Sequence, residues 1–283
     1  MNLKIHTTKI KQLGLAIALG LGAATTGNAL ELNKGDHVVF IGNALAERMQ
    51  HHGWLESYAQ AAMPGKELVF RNHGFGGDKV NNRPRNSGFP SADAYLDISK
   101  ADVILAFWGY NESFDNSPDA YRADLAKWLD ETNGKKYNGN SAPRVVLFSP
   151  IAHENLEQAN LPDGTANNER LAKYTEATRQ VANEKGVEFV DLFSMSQKFY
   201  ARSKSPLTIN GIHLTNGGNK QLARGIHNSL FGKLPRVRGS KLSRVNEAVL
   251  DKNWYWYNRY RATDGNDVWG GRSKLSFVAG QTN

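Results

Sequence analysis

Five short apolar runs set the frame for everything this chain can fold into: "HVVFIG" (37–42), "ELVFRN" (67–72), "DVILAFWG" (102–109), "RVVLFSP" (144–150) and "VEFVDLF" (187–193). They are rich in Val, Ile and Phe and too short for ordinary helices, so they read as strands. Longer segments of mixed polarity lie between them. "ALAERMQHHGWLESYAQAA" (44–62) places Leu45, Met49, Trp54, Leu55 and Tyr58 on one helical stripe. "SPDAYRADLAKWLDETNG" opens on Ser117 and Pro118 and closes on Gly134, and another helix is expected from Asn167 to Gly186. Alternation of this kind predicts an α/β fold, a parallel sheet with helices on both faces. In such sheets a ligand sits beyond the carboxyl ends of the strands.

The residues just after the runs are polar. Gly42 and Asn43 follow the first and "RNHGFGGD" (71–78) the second. "GYNESF" (109–114) and "SPIAHEN" (149–155) follow the third and fourth, and "TINGIHLTNGGNKQLA" (208–223) enters a later helix. Each is a plausible turn alone; together they mark one edge of the sheet as the place for chemistry.

Both ends of the chain differ from its middle. Lys4, Lys9 and Lys11 precede "LGLAIALGLGAA" (13–24), twelve residues where a spanning helix needs roughly 20. Small residues follow, so residues 1–29 read as a secretory signal cleaved after Ala29. The mature protein is expected to be secreted or periplasmic, with no transmembrane span after cleavage. The signal and the segment 233–283 hold the basic excess behind the net charge of +8. The segment 30–232 is close to neutral, which argues against nucleic acid as its partner. The segment 233–283 interleaves Lys and Arg with Trp254, Tyr255, Trp256, Tyr257 and Tyr260. Such a pattern could stack on sugar rings, lie on a membrane surface or bind single-stranded nucleic acid; the favoured reading is a helical extension that packs its aromatics on the main domain or on a missing neighbouring module. There are no cysteines, which excludes disulfides and thiolate chemistry.

Taken in order, the four polar turns resemble the SGNH (GDSL-type) hydrolase superfamily over roughly residues 35–230. "FIGNAL" matches the block that normally reads Gly-Asp-Ser, and "NHGFGGD" places Gly77 at the oxyanion glycine. "GYNES" places Asn111 at the oxyanion asparagine, and "NGIHLTNGGNKQLA" places His213 at the general base. The resemblance implies a three-layer α/β/α fold with a five-stranded flavodoxin-like sheet. It also implies hydrolysis of esters, often on carbohydrates or lipids. The chain further resembles a secreted bacterial subgroup whose first block reads Gly-Asn-Ala or Gly-Asn-Thr and whose module often precedes others in larger proteins.

Two positions depart from the family pattern. Ala44 stands at the serine and Asn210 at the aspartate three residues before the histidine. A methyl group cannot be acylated, so an acyl-serine mechanism through residue 44 is excluded. Two chemistries remain open. In one, His213 activates water while Gly77 and Asn111 stabilise negative charge, with Asn43 and Asn210 nearby. In the other, Glu112 and Glu154 act as an acid–base pair on a glycosidic bond; the structural alternative is that they pair with Arg48, Arg71 or His153. Ser113 and Ser149 are weaker candidates for a relocated nucleophile. Trp108, Tyr110 or Phe114 could stack on a sugar, and Asn72 and Asp78 could contact it. Such a cleft could also bind carbohydrate without cleaving it, or the domain could serve as a scaffold. The expected partner is a small-molecule or polysaccharide substrate. No cofactor is called for, and adjacent pairs such as His51–His52 lack metal-ligand spacing.

Overall fold

The computed structural model describes residues 30–85, 90–260, 276–278 and 281–282. The expected signal, residues 1–29, and most of 261–283 lie outside the described residues. All five runs contain strands: β1 (His37–Gly42), β2 (Val69–Asn72), β3 (Val103–Phe107), β4 (Arg144–Phe148) and β5 (Glu188–Val190). They form one parallel sheet in the order β2-β1-β3-β4-β5. Val38 is in register with Val103, and Val103 with Arg144.

Strand alternation sorts the side chains into two cores. Val38, Phe40, Leu105, Phe107, Val146 and Phe148 face one layer of helices. Val39, Ile41, Ile104, Ala106, Trp108 and Leu147 face the other. The central strands β1, β3 and β4 are apolar beyond their first residues because neither face meets water, while the edge strands β2 and β5 carry half-buried Arg71 and Glu188. The first layer holds α1 (Ala44–Met49), α2 (Trp54–Ala62), α6 (Leu192–Tyr200) and α7 (Asn216–Phe231). The second holds α3 (Ala92–Ile98), α4 (Pro118–Asn133) and α5 (Thr165–Lys185). A short antiparallel pair joins Ser276–Val278 to Gln281–Thr282.

The single helix expected over 44–62 is two helices. Gly53 adopts a left-handed backbone, φ +63°, between α1 and α2. A Cβ there would press on Val249 of the C-terminal helix. The stripe of apolar residues spans the break because both helices pack on the same core. The ends of α4 and α5 at Gly134 and Gly186 agree with the sequence pattern.

The C-terminal helix α8 (Gly239–Tyr260) docks on α2 and on the edge at β2. It packs Leu242 and Val249 inward and adds several polar contacts. Asn246 donates to the His52 carbonyl and to Ser57 Oγ, and Asn253 donates to the Gln50 carbonyl. Trp256 is buried, donates from Nε1 to the Asn72 carbonyl at 2.8 Å, and stacks on His73. Trp254 and Tyr255 face outward. The aromatic helix is thus in part a packing element. Among the described residues no helix is long and apolar enough to cross a membrane.

One ion pair clamps α8 in place. Lys252 Nζ lies 2.7 Å from Glu56 Oε2 and also donates to the Phe70 carbonyl. Burial pushes the Glu56 carboxyl up, and Lys252 opposes that shift. Replacing Lys252 with Met leaves Glu56 without its cation. Lys252 is itself one third exposed, so water softens the loss. Urea denaturation should show a destabilisation of about 2 kcal/mol, below the 3–5 expected for a fully buried pair. Glu56→Gln combined with Lys252→Met should recover part of it.

Candidate functional site

The sharp turn after β1 begins the site. Gly42 has φ +129°, and a Cβ there would collide with the Phe107 carbonyl oxygen of β3. Only glycine allows β1 and β3 to close this tightly just before the chain turns. The next residue, Asn43, donates its backbone N–H to the same oxygen and sits at the N-cap of α1. Ala44 is therefore the first residue of α1, at the carboxyl edge of the sheet. Arg48 follows it by four residues and so shares its helix face.

A cleft opens here. Ala44, Asn43, Arg48, Tyr110 and His213 line it, over an apolar floor that includes Pro150, Ile151 and Ile212. Ala44 and His213, far apart in sequence, therefore face one space. Gly77, Asn111, Glu112 and Glu154 are not among the residues lining it.

His213 is held by a heavily bonded loop. The Glu154 carboxylate accepts from the backbone N–H groups of Leu207 and Thr208 and from the Thr208 hydroxyl, at 2.7–3.0 Å. The Glu154 N–H in turn donates to the Gly211 carbonyl. Gly211 has φ +89° and packs against the His153 ring so closely that a Cβ would overlap it. Asn210 Oδ1 then accepts the His213 N–H at 3.0 Å. Asn210 Nδ2 lies 3.0 Å and Oδ1 3.2 Å from His213 Nδ1. Both ring tautomers thus have a partner. Donation from Nδ1 to Oδ1 leaves Nε2 free to accept a proton; donation from Nδ2 to Nδ1 puts the proton on Nε2. A carboxylate at residue 210 would permit only the first. Burial pulls the His213 pKa down, the Arg48 charge adds to this, and Glu47 opposes it.

The glycine and asparagine of the resemblance sit beside the cleft. Gly77 is exposed, with open space where a Cβ would lie. Asn111 donates both amide hydrogens to backbone carbonyls, of Gly76 at 2.9 Å and of Asp78 at 3.0 Å.

Several other expected site residues belong to the framework, each for a visible reason. Glu112 is buried and accepts from the N–H groups of Val80 and Gly109, so it holds the second and third turns together. Glu112 and Glu154 are thus occupied by backbone donors and, for Glu154, the Thr208 hydroxyl, and neither forms an ion pair among the described residues. Asp78 is buried in a two-oxygen pair with Arg85. Asn72 bridges the Ala46 carbonyl and the Gly74 N–H, tying β2 to α1. Trp108 continues the alternation of β3 into the second core; it is only 2% exposed and packs edge-on against Trp128. It cannot offer its face to a sugar. Ser149 and Ser113 are also buried, with hydroxyls donating to the carbonyls of Pro150 and Tyr110. Trp108 and Tyr110 both border the cleft, but Trp108 is buried in its wall. Tyr110 is the less buried of the two, with Phe114 at 5.5 Å and Arg170 over the Phe114 ring. Among the described residues no cluster of three metal-ligating side chains occurs.

The sequence offers Arg48 only as an ion-pair partner for a carboxylate. In the fold it lines the cleft. The signal was its four-residue spacing from Ala44, which puts both on one face of α1.

Two outcomes follow for the His213 loop. Glu154→Ala removes charged acceptors from three donors and should destabilise the protein by about 2–3 kcal/mol, with faster amide exchange at Leu207 and Thr208. His213 should titrate below about 6.5, the ordinary histidine value. Its folded pKa is depressed, so its contribution to stability is complete above that unfolded value and is lost as pH falls through the folded one. Nitrogen-detected NMR titration checks this, and Arg48→Gln should move the inflection upward.

Comparison with known proteins agrees with this architecture. The model of the GDSL-like Lipase/Acylhydrolase family matches residues 40–221. A search of curated proteins finds no match. Among solved structures, Axe2, an acetylxylan esterase from Geobacillus stearothermophilus, superposes with a TM-score of 0.56 at 18% identity, covering 74% of this chain and 100% of its own. A gut microbial diltiazem-metabolizing enzyme gives a TM-score of 0.56 at 19% identity, covering 71% of this chain and 48% of its own. At such identities the likeness is one of fold. The matched segment includes every turn that builds the cleft, from Gly42 to His213, and the chain belongs to the GDSL-like lipase/acylhydrolase family.

Proposed function

We propose that this protein is an exported hydrolase that cleaves acyl esters on carbohydrate, with water in place of a serine nucleophile. The observation that carries the reading is that Ala44 and His213 line the same cleft. A methyl group at residue 44 leaves room for a water molecule beside the imidazole. Burial keeps that imidazole neutral at pH 7 and able to act as a base. In this reading water attacks the acyl carbon as His213 Nε2 takes its proton. The imidazolium then protonates the departing sugar oxygen. No acyl-enzyme forms.

Family membership supports acyl hydrolysis, and the acetylxylan esterases of like fold supply the substrate class. The glycosidic alternative loses ground because Glu112 and Glu154 are committed to backbone donors. The leader composition of residues 1–29 supports export to the periplasm or beyond.

A second reading is favoured by Asn111. With both its amide hydrogens on Gly76 and Asp78, it has none left for an oxyanion. A cleft without that donor can recognise an acylated sugar and not turn it over.

Acetate release from acetylated xylo-oligosaccharides separates the two. Slow release that disappears in His213→Ala supports hydrolysis by water. No release, with sugar binding retained in that variant, supports recognition. The double variant Ala44→Ser, Asn210→Asp installs a nucleophile and fixes the base tautomer. It should raise esterase activity at least about 100-fold, as loss of a triad carboxylate alone costs about 10⁴ elsewhere.

A further inference from the structure

Two donors in the cleft have no acceptor. Asn43 is 2% exposed, and its amide Nδ2 is buried with no hydrogen-bond partner. Arg48 is half-buried; its Nε is likewise buried and unpartnered, and no carboxylate pairs with its guanidinium among the described residues. The nearest acidic neighbour in sequence, Glu47, is turned to His51 at 2.9 Å. A partly desolvated cation over an apolar floor of Pro150, Ile151 and Ile212 is costly unless an anion joins it. A neutral hydroxyl would satisfy a hydrogen bond but leave the charge unbalanced. A carboxylate satisfies both, accepting from the guanidinium with one oxygen and from the Asn43 amide with the other.

We infer that Arg48 and Asn43 form a carboxylate-binding subsite, so that the cleft selects acidic sugars such as uronates. This deepens the proposed carbohydrate reading and rests on it for the sugar, though not for the anion. Arg48 is then a specificity-determining residue one helical turn from Ala44, and the acid group of the ligand positions its neighbouring ring against His213.

Calorimetric titration with trigalacturonate and with its methyl ester tests the subsite, because the two differ only at the carboxyl, where the ester exchanges the charge for a methyl group; Arg48→Gln separates the charge from the added bulk. Methyl esterification and Arg48→Gln should each weaken binding by at least about tenfold, and Arg48→Lys by less. Trigalacturonate should shift the side-chain amide resonances of Asn43. The exposed Lys241 and Arg244 on α8 control for nonspecific attraction to a basic protein: changing both to Gln should alter affinity less than about twofold at 0.15 M salt. Equal binding of acid and ester, unchanged binding in a folded Arg48→Gln, or no binding of trigalacturonate at millimolar concentration overturns the inference. Acetate release from neutral xylo-oligosaccharides without any preference for acid would leave the hydrolase reading standing and remove the subsite. Acid-selective binding without release from any acetylated sugar would do the reverse.

Discussion

The contact between Gly42 and the Phe107 carbonyl is the constraint from which the site is built. β1 and β3 meet there at the point where the strand order changes direction, and only a residue without a Cβ lets them meet. The turn that follows starts α1 within two residues of the strand. That brings Ala44 and Arg48 to the edge of the sheet as neighbours on one helix face. Had the strands stayed further apart, α1 would start later and a different pair of side chains would meet the cleft.

The other half of the site depends on buried carboxylates used as fasteners. Glu154 collects three donors from the loop that carries His213, and Glu112 joins the turns after β2 and β3. Neither needs a cation, because backbone N–H groups supply the partial positive charge a buried carboxylate requires. The cost is that neither is free for chemistry. What remains in the cleft, among the described residues, is a histidine whose pKa burial lowers, an arginine without a carboxylate partner and an apolar floor. That combination is what the proposals of an anionic ligand and of water activated by His213 rest on.

The C-terminal helix changes the meaning of the basic tail. Its polar clamp on α2 and β2 makes residues 239–260 part of the packed body. Asn246, Asn253 and Trp256 each satisfy a backbone carbonyl that would otherwise face an uncovered edge. The outward Trp254 and Tyr255 are what this helix leaves to solvent.

The strands, their parallel pairing and the sites of the polar turns were legible in the sequence. Fully apolar runs of Val, Ile and Phe between amphipathic segments have few other solutions. The loss of a hydroxyl at Ala44 was equally plain, since identity alone decides nucleophilicity. The roles of the remaining polar residues were not. Glu112, Glu154, Asn72 and Asp78 have the chemistry of a site, and sequence proximity to strand ends could not tell a carboxylate facing the cleft from one bonded to backbone. Trp108 was hidden by a parity of one: continued strand alternation packs its indole in the second core, so it borders the cleft as buried wall and offers no free ring face. Arg48 was decided only by the tertiary structure, because whether a cation is paired depends on which carboxylates the fold brings within reach, and among the described residues it brings none into an ion pair with Arg48.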